Sequence, residues 1–263
     1  MKKLALFLAF LTIFLNTSIY SKTMPKAIFF DVEAIFHTNS MRASSYIGKI
    51  DSLRYLSAVG HLPSQEDLFK QLKSIKAQST QTTFNKNLIM PLIFSDWLAS
   101  VQSNTKLKDI IQKYFTSKSI SDIEKKVLYA IVSMMLTPQH LADTQEVNGK
   151  METLLTKLKT SKIKLFLVGN WAHIASMRSE FPHIFKLFDG VHVSGDLHLL
   201  KPTEEYYKTV LSKSGIAAQD ALWIETESKF ATAAKNYGFN VATCNPDDHS
   251  ELINALRSYG LSV

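Results

Sequence analysis

A doubly wound parallel α/β sheet interrupted by a helical insertion is the fold this sequence predicts, and three patterns predict it. Five short apolar runs each stop at a polar or small residue. Amphipathic helical stripes lie between the later runs. A tract from residue 38 to about 145 carries helical periodicity and few strand-like runs. Strands alternating with helices imply parallel pairing with helices on both faces of the sheet.

The chain opens with Met1-Lys2-Lys3, a twelve-residue apolar run from Leu4 to Leu15, and a small polar stretch up to Ser21. This three-part pattern predicts a secretory signal peptide over residues 1–21 and export of a bacterial type, periplasmic or secreted. As a helix the apolar run spans about 18 Å, short of the ~30 Å bilayer core, so no stable membrane span is expected after its removal. Ala27 to Phe30, ending in Asp31, reads as the first buried strand. The insertion over residues 38–145 follows. In it, Ser64 to Asp67 and Ser121 to Glu124 resemble capping boxes. Leu68, Leu72 and Ile75 share one helical face, and Ile110, Ile111 and Tyr114 another. Thr38 to Met41 is the expected hinge between the insertion and the core, which takes residues 25–37 and 146–263.

The second half supplies the other strands. Met151, Leu154, Leu155 and Leu158 form a helical stripe before the run Ile163 to Val168, which ends in Gly169-Asn170. Gly190 to Val193 ends in Ser194-Gly195, and Ala221 to Ile224 ends in Glu225. Phe230, Ala233, Ala234 and Tyr237 make a further stripe stopped by Gly238, before Asn240 to Cys244.

Composition excludes several roles. The chain has 263 residues, 46% hydrophobic and 20% charged, which is ordinary globular composition. Thirty basic against 23 acidic residues leave a charge of +7. The lysines are scattered and only Arg42, Arg54, Arg178 and Arg257 are arginines, so no basic stripe points to a nucleic-acid partner. One cysteine, Cys244 in an apolar run, excludes an intrachain disulfide and a thiolate metal cage.

Ligands of an open parallel sheet bind beyond the carboxyl ends of the strands. The residues there are Asp31 and Glu33, Gly169 and Asn170, Lys201, and Glu225 with Glu227. Carboxylates converging from two strands suit a hard divalent cation held by oxygen. A lysine beside them suits an anion or a nucleophilic carboxylate.

These motifs, in this order, resemble those of the haloacid dehalogenase-like hydrolases. The first runs from Ala27 to Phe36 through Asp31 and Glu33, and the second from Leu165 to Trp171 through Gly169 and Asn170. The third runs from Gly195 to Pro202 through Lys201, and the fourth from Ala221 to Glu227. The resemblance covers about residues 25 to 245 and implies the Rossmannoid core of that superfamily, with the insertion as its helical cap.

The same resemblance implies a Mg²⁺-dependent phosphatase acting on a small phosphorylated compound. Asp31 is then the nucleophile that becomes an aspartyl-phosphate, and Glu33 the acid and base. Lys201 clamps the phosphoryl oxygens, and Gly169 and Asn170 offer further contacts to them. Asp31, Glu33, Glu225 and Glu227 are the expected metal ligands. Three positions depart from the family pattern. Glu33 stands where phosphatases carry Asp, Gly169 where a hydroxyl is expected, and Glu225-Thr226 where two Asp are common. They support an alternative expectation, a catalytically degenerate member that binds a ligand or partner. Carbon–halogen hydrolysis would use the same Asp without a metal, and Glu225 and Glu227 argue against it.

Overall fold

The computed structural model describes residues 23–63, 65–73, 75, 92–100 and 102–263. The expected signal peptide and Ser64 of the first capping box lie outside them. Five strands form one sheet in the order β5-β4-β1-β6-β7, where β1 is Ala27–Asp31, β4 Lys164–Gly169, β5 Gly190–Val193, β6 Ala221–Glu225 and β7 Asn240–Thr243. All four pairings are parallel, and Asp31 lies opposite Val168. Helices connect the strands, as parallel pairing requires.

The three inner strands read as continuous apolar runs because both sheet faces are covered. Side chains alternate between two cores. Ile28, Phe30, Leu165, Leu167, Leu222 and Ile224 enter one core, beneath the helices Gly149–Thr160 and Ser250–Ser258. Phe29, Phe166, Val168 and Trp223 enter the other, against Tyr206, Tyr207 and Ala234. Each buried apolar side chain contributes about 1.5–3 kcal/mol relative to exposure, so the centre of the sheet is a rigid platform for the loops at its edge.

Two further strands were not foreseen. β2, Phe36–Thr38, pairs antiparallel with β3, Gln145–Val147, and the chain enters and leaves the insertion between them. Glu146 of β3 binds His37 at 2.9 Å and accepts from Asn39 at 2.6 Å. The expected hinge at Thr38 to Met41 begins in this pair. Thr38 is held in a two-stranded stem, and Asn39 caps the next helix by accepting from the Arg42 N–H.

Beyond the stem the described residues of the insertion are mostly helical and have their own core of Leu68, Leu72, Leu107, Ile111, Val127, Ile131 and Val132. The capping box expected at Ser121 is present: Ser121 accepts from the Glu124 N–H, and Glu124 binds back to the Ser121 N–H. The insertion also rests on the sheet side. Ser194 Oγ donates to the Leu98 carbonyl at 2.7 Å, His198 Nδ1 to the Ala99 carbonyl at 2.8 Å, and Ser100 Oγ to the Ala172 carbonyl at 3.0 Å. Among the described residues no helix is long and apolar enough to cross a membrane.

Candidate active site

β1 lies at the centre of the sheet, and the chain order runs outward from it in both directions. The crevice therefore opens at its carboxyl end, where Asp31 is the last strand residue. β6 ends beside it with Glu225, and the loop after Leu200 brings in Lys201. These three side chains, separated by as many as 194 positions, meet below the surface. The Lys201 ammonium lies 3.0 Å from Asp31 Oδ2 and 2.8 and 3.0 Å from the two Glu225 oxygens. Lys201 is 1% exposed, Asp31 3% and Glu225 0%. The ammonium also lies 4.7 Å from the centroid of the Phe230 ring.

Burial works against a charged lysine, but the facing carboxylates of Asp31 and Glu225 outweigh it and hold the Lys201 pKa well above the ordinary range. Burial pushes the Glu225 carboxyl up, and the Asp31 charge adds to this against the pull of Lys201. Two carboxylates facing one ammonium leave the pit net negative when all three are ionised.

Glu33 sits on the turn after β1, in the short helix Val32–Ile35. It retains solvent contact at the mouth of the pit. Even so, the protein packed around its carboxyl, then the charges of Asp31 and Glu227, push its pKa from 4.5 up to about 7. Thr226 lies near it, with Oγ1 3.4 Å from Glu33 Oε2. Glu227 pairs with Lys229 at 2.7 Å.

Several expected roles are not what the geometry provides. Glu225 is not open to a cation, because Lys201 engages both of its oxygens and the Trp223 indole N–H donates to one of them at 2.7 Å. Among the described residues no three Asp, Glu, His or Cys side chains gather as metal ligands, so the expected cluster of four carboxylates does not form. The Gly169 N–H is not free for a phosphoryl oxygen, since it donates to the Tyr206 hydroxyl at 2.8 Å. That hydroxyl donates in turn to the His192 carbonyl. The Asn170 side chain is also spent: its Oδ1 accepts from the Lys201 N–H at 2.8 Å, and its Nδ2 donates to the Lys201 carbonyl at 3.1 Å. Asn170 therefore fixes the lysine backbone instead of a ligand.

Gly169 has a separate reason to be glycine. Its φ is +148°, and a Cβ there would stand 2.7 Å from Asp31 Oδ1 and 3.3 Å from Val32 Cγ2. A side chain there, as in Gly169→Ser, is accordingly expected to displace the Asp31 carboxylate and to lower any activity that depends on its position by about 100-fold. Initial-rate measurements on the variant check this, and a gain in rate would contradict the geometry.

Trp223, Tyr206 and Phe230 were missed as parts of the site. Trp223 was legible in principle, since it lies two residues before Glu225 on a strand and so shares its face. Nothing in the sequence marked Tyr206 or Phe230, which reach the site from helices.

The haloacid dehalogenase-like hydrolase profile matches residues 63–244. The chain belongs to the haloacid dehalogenase-like (HAD) hydrolases. The profile match begins after β1, so Asp31 and Glu33 lie outside it. Solved HAD structures share the fold. A HAD family enzyme from Bacteroides thetaiotaomicron, in complex with magnesium and inorganic phosphate, is 14% identical at a TM-score of 0.55, over 87% of this chain and 98% of that one. The HAD-hydrolase YfnB from Bacillus subtilis, bound to magnesium, is 15% identical at 0.56, over 89% and 100%. A HAD-like family hydrolase from Porphyromonas gingivalis is 16% identical at 0.54, over 89% and 98%. No curated protein matches the sequence.

Proposed function

We infer that this HAD hydrolase is an exported phosphomonoesterase that acts on a small phosphorylated compound through an aspartyl-phosphate. The observation that carries the reading is the Asp31 carboxylate held by a buried ammonium, with Glu33, an acid whose pKa is about 7, two residues away at the mouth. The Bacteroides and Bacillus enzymes of the same fold, which bind magnesium, support it. Export rests on the N-terminal pattern of residues 1–21.

In this mechanism an Asp31 oxygen attacks phosphorus, and the Glu33 proton passes to the departing oxygen. Lys201 offsets negative charge as it builds beside Asp31. Glu33, now ionised, takes a proton from water, which attacks the phosphorus of the aspartyl-phosphate. Asp31 and inorganic phosphate are released. A magnesium ion fits the mouth chemically. Mg²⁺ needs only one or two carboxylates besides substrate oxygens and water; burial and then the charges of Asp31 and Glu227 raise the Glu33 pKa, and a cation beside these carboxylates would offset that part of the shift due to charge. Asp31 and Glu227 would hold it. When bound it would neutralise charge on the phosphoryl group. The test is phosphate release from an aryl phosphate with Mg²⁺. Release that stops with a chelator and returns with Mg²⁺ is the expected result, and release indifferent to both Mg²⁺ and Asp31 sinks the reading.

The committed N–H of Gly169 and side chain of Asn170 favour a second reading, a ligand-binding member without turnover. It predicts that inorganic phosphate binds in calorimetry while no ester is cleaved.

Glu33 sets the pH dependence. As a proton donor it acts below about pH 7, so kcat/KM on an alkyl phosphate is expected to fall as pH rises above that value. Glu33→Gln should flatten this limb. The linkage sign gives an independent check. The folded form binds this proton more tightly than the unfolded chain, so stability is lost as pH rises from 4.5 towards 7. Glu33→Gln should therefore melt higher than wild type at about pH 8 and the same at about pH 4.

A further inference from the structure

We propose that Trp223 is a positioning residue of this site: its indole N–H fixes the Glu225 carboxylate, which in turn holds the Lys201 ammonium against Asp31. The three contacts form one chain, 2.7 Å from Trp223 Nε1 to Glu225 Oε1, 2.8 Å from there to Lys201 Nζ, and 3.0 Å on to Asp31 Oδ2. Every member is buried.

Trp223 is equipped for this. Its ring stacks on Phe29 at 5.3 Å and 15°, meets Tyr207 edge-on at 5.3 Å, and packs at 4.6 Å on Phe239. Aromatic neighbours on several sides leave the indole little freedom to turn. Its one polar atom must find an acceptor when buried, and the period of two along β6 puts Glu225 on the same face. Glu225 has three rotatable side-chain bonds and no described partners besides Trp223, Lys201 and Asp31. Lys201 has a longer, more flexible stem. The rigid indole is thus the fixed end from which two flexible charged groups take their places. An aromatic such as phenylalanine would fill the same space and hold nothing.

The kinetic arm of the test rests on the phosphatase reading, while the spectroscopic arm stands without it. In wild type, the indole N–H resonance that Trp223→Phe removes should exchange slowly with solvent, and it should move upfield in Glu225→Gln, where the acceptor loses its charge. Fast exchange, or no movement in Glu225→Gln, overturns the proposal. In turnover, Trp223→Phe should lower kcat about 10- to 100-fold, as loss of an outer partner of a charged site does, with KM nearly unchanged. It should cost nothing further in the Glu225→Gln background. An unchanged kcat, or equal losses in both backgrounds, shows that Trp223 only packs. If Trp223→Phe does not fold, Trp97→Phe and Trp171→Phe assign the Trp223 resonance by elimination, and the wild-type and Glu225→Gln spectra still decide. The expected resonance in a protein that cleaves no phosphoester would leave the positioning intact and refute the phosphatase reading alone.

Discussion

Replacing Asp31 with asparagine is expected to lower phosphate release by about 10⁴-fold or more, the scale of loss on removing a catalytic nucleophile, without destabilising the fold. The two outcomes separate because the shape is conserved while the charge is not. Asp31 and Glu225 share one ammonium, so the buried group is net negative when all three are ionised. Asparagine leaves Lys201 and Glu225 as a matched pair and can present its carbonyl oxygen to the lysine. The amide cannot attack phosphorus. Urea unfolding read beside the kinetics tests both halves. A variant that keeps wild-type activity removes Asp31 as nucleophile. One that unfolds at much lower urea shows instead that the charge of Asp31 is structural.

Lys201→Met should produce the opposite balance, with stability as the main casualty. It leaves two buried carboxylates facing each other with no cation between them. Removing one partner of a buried ion pair typically costs about 3–5 kcal/mol, a large part of the stability of an ordinary domain. The methionine fills much of the stem volume, so the loss reflects charge more than cavity. It also carries a pH signature. With the ammonium gone the folded carboxylates bind protons more tightly than the unfolded ones, so stability should return as pH falls. Lys201→Met combined with Glu225→Gln should recover much of the loss at neutral pH, because one of the two facing charges is then gone. Chemical denaturation of both variants at two pH values checks this. A single variant as stable as wild type near neutral pH would show that the ion pair contributes nothing to the fold.

The sheet was legible in the sequence because its central strands are buried on both faces. Ala27 to Phe30 and Ala221 to Ile224 have no polar member, and each stops where the sheet ends, at Asp31 and Glu225. The stem strands were not legible. Phe36–Thr38 and Gln145–Val147 are three residues each, polar on one side, and pair across a long separation, 109 positions between His37 and Glu146. The departures at Gly169 and Asn170 were visible as residue types, but their consequences were not. A glycine N–H looks available until a tyrosine 37 positions away accepts from it, and an asparagine looks like a ligand contact until its amide meets the Lys201 backbone.

By itself, then, the sequence determined the order of elements, the strand ends and the residue types delivered to the crevice, because burial and period are local properties of a chain. Only the tertiary structure decided which of those groups are free. Glu225 became the partner of Lys201 and Trp223, Gly169 that of Tyr206, and Glu33 an acid with a pKa of about 7. Hydrogen-bond capacity and charge are shared out among neighbours in space, and a buried polar group goes to whichever partner the packing brings within 3 Å or so.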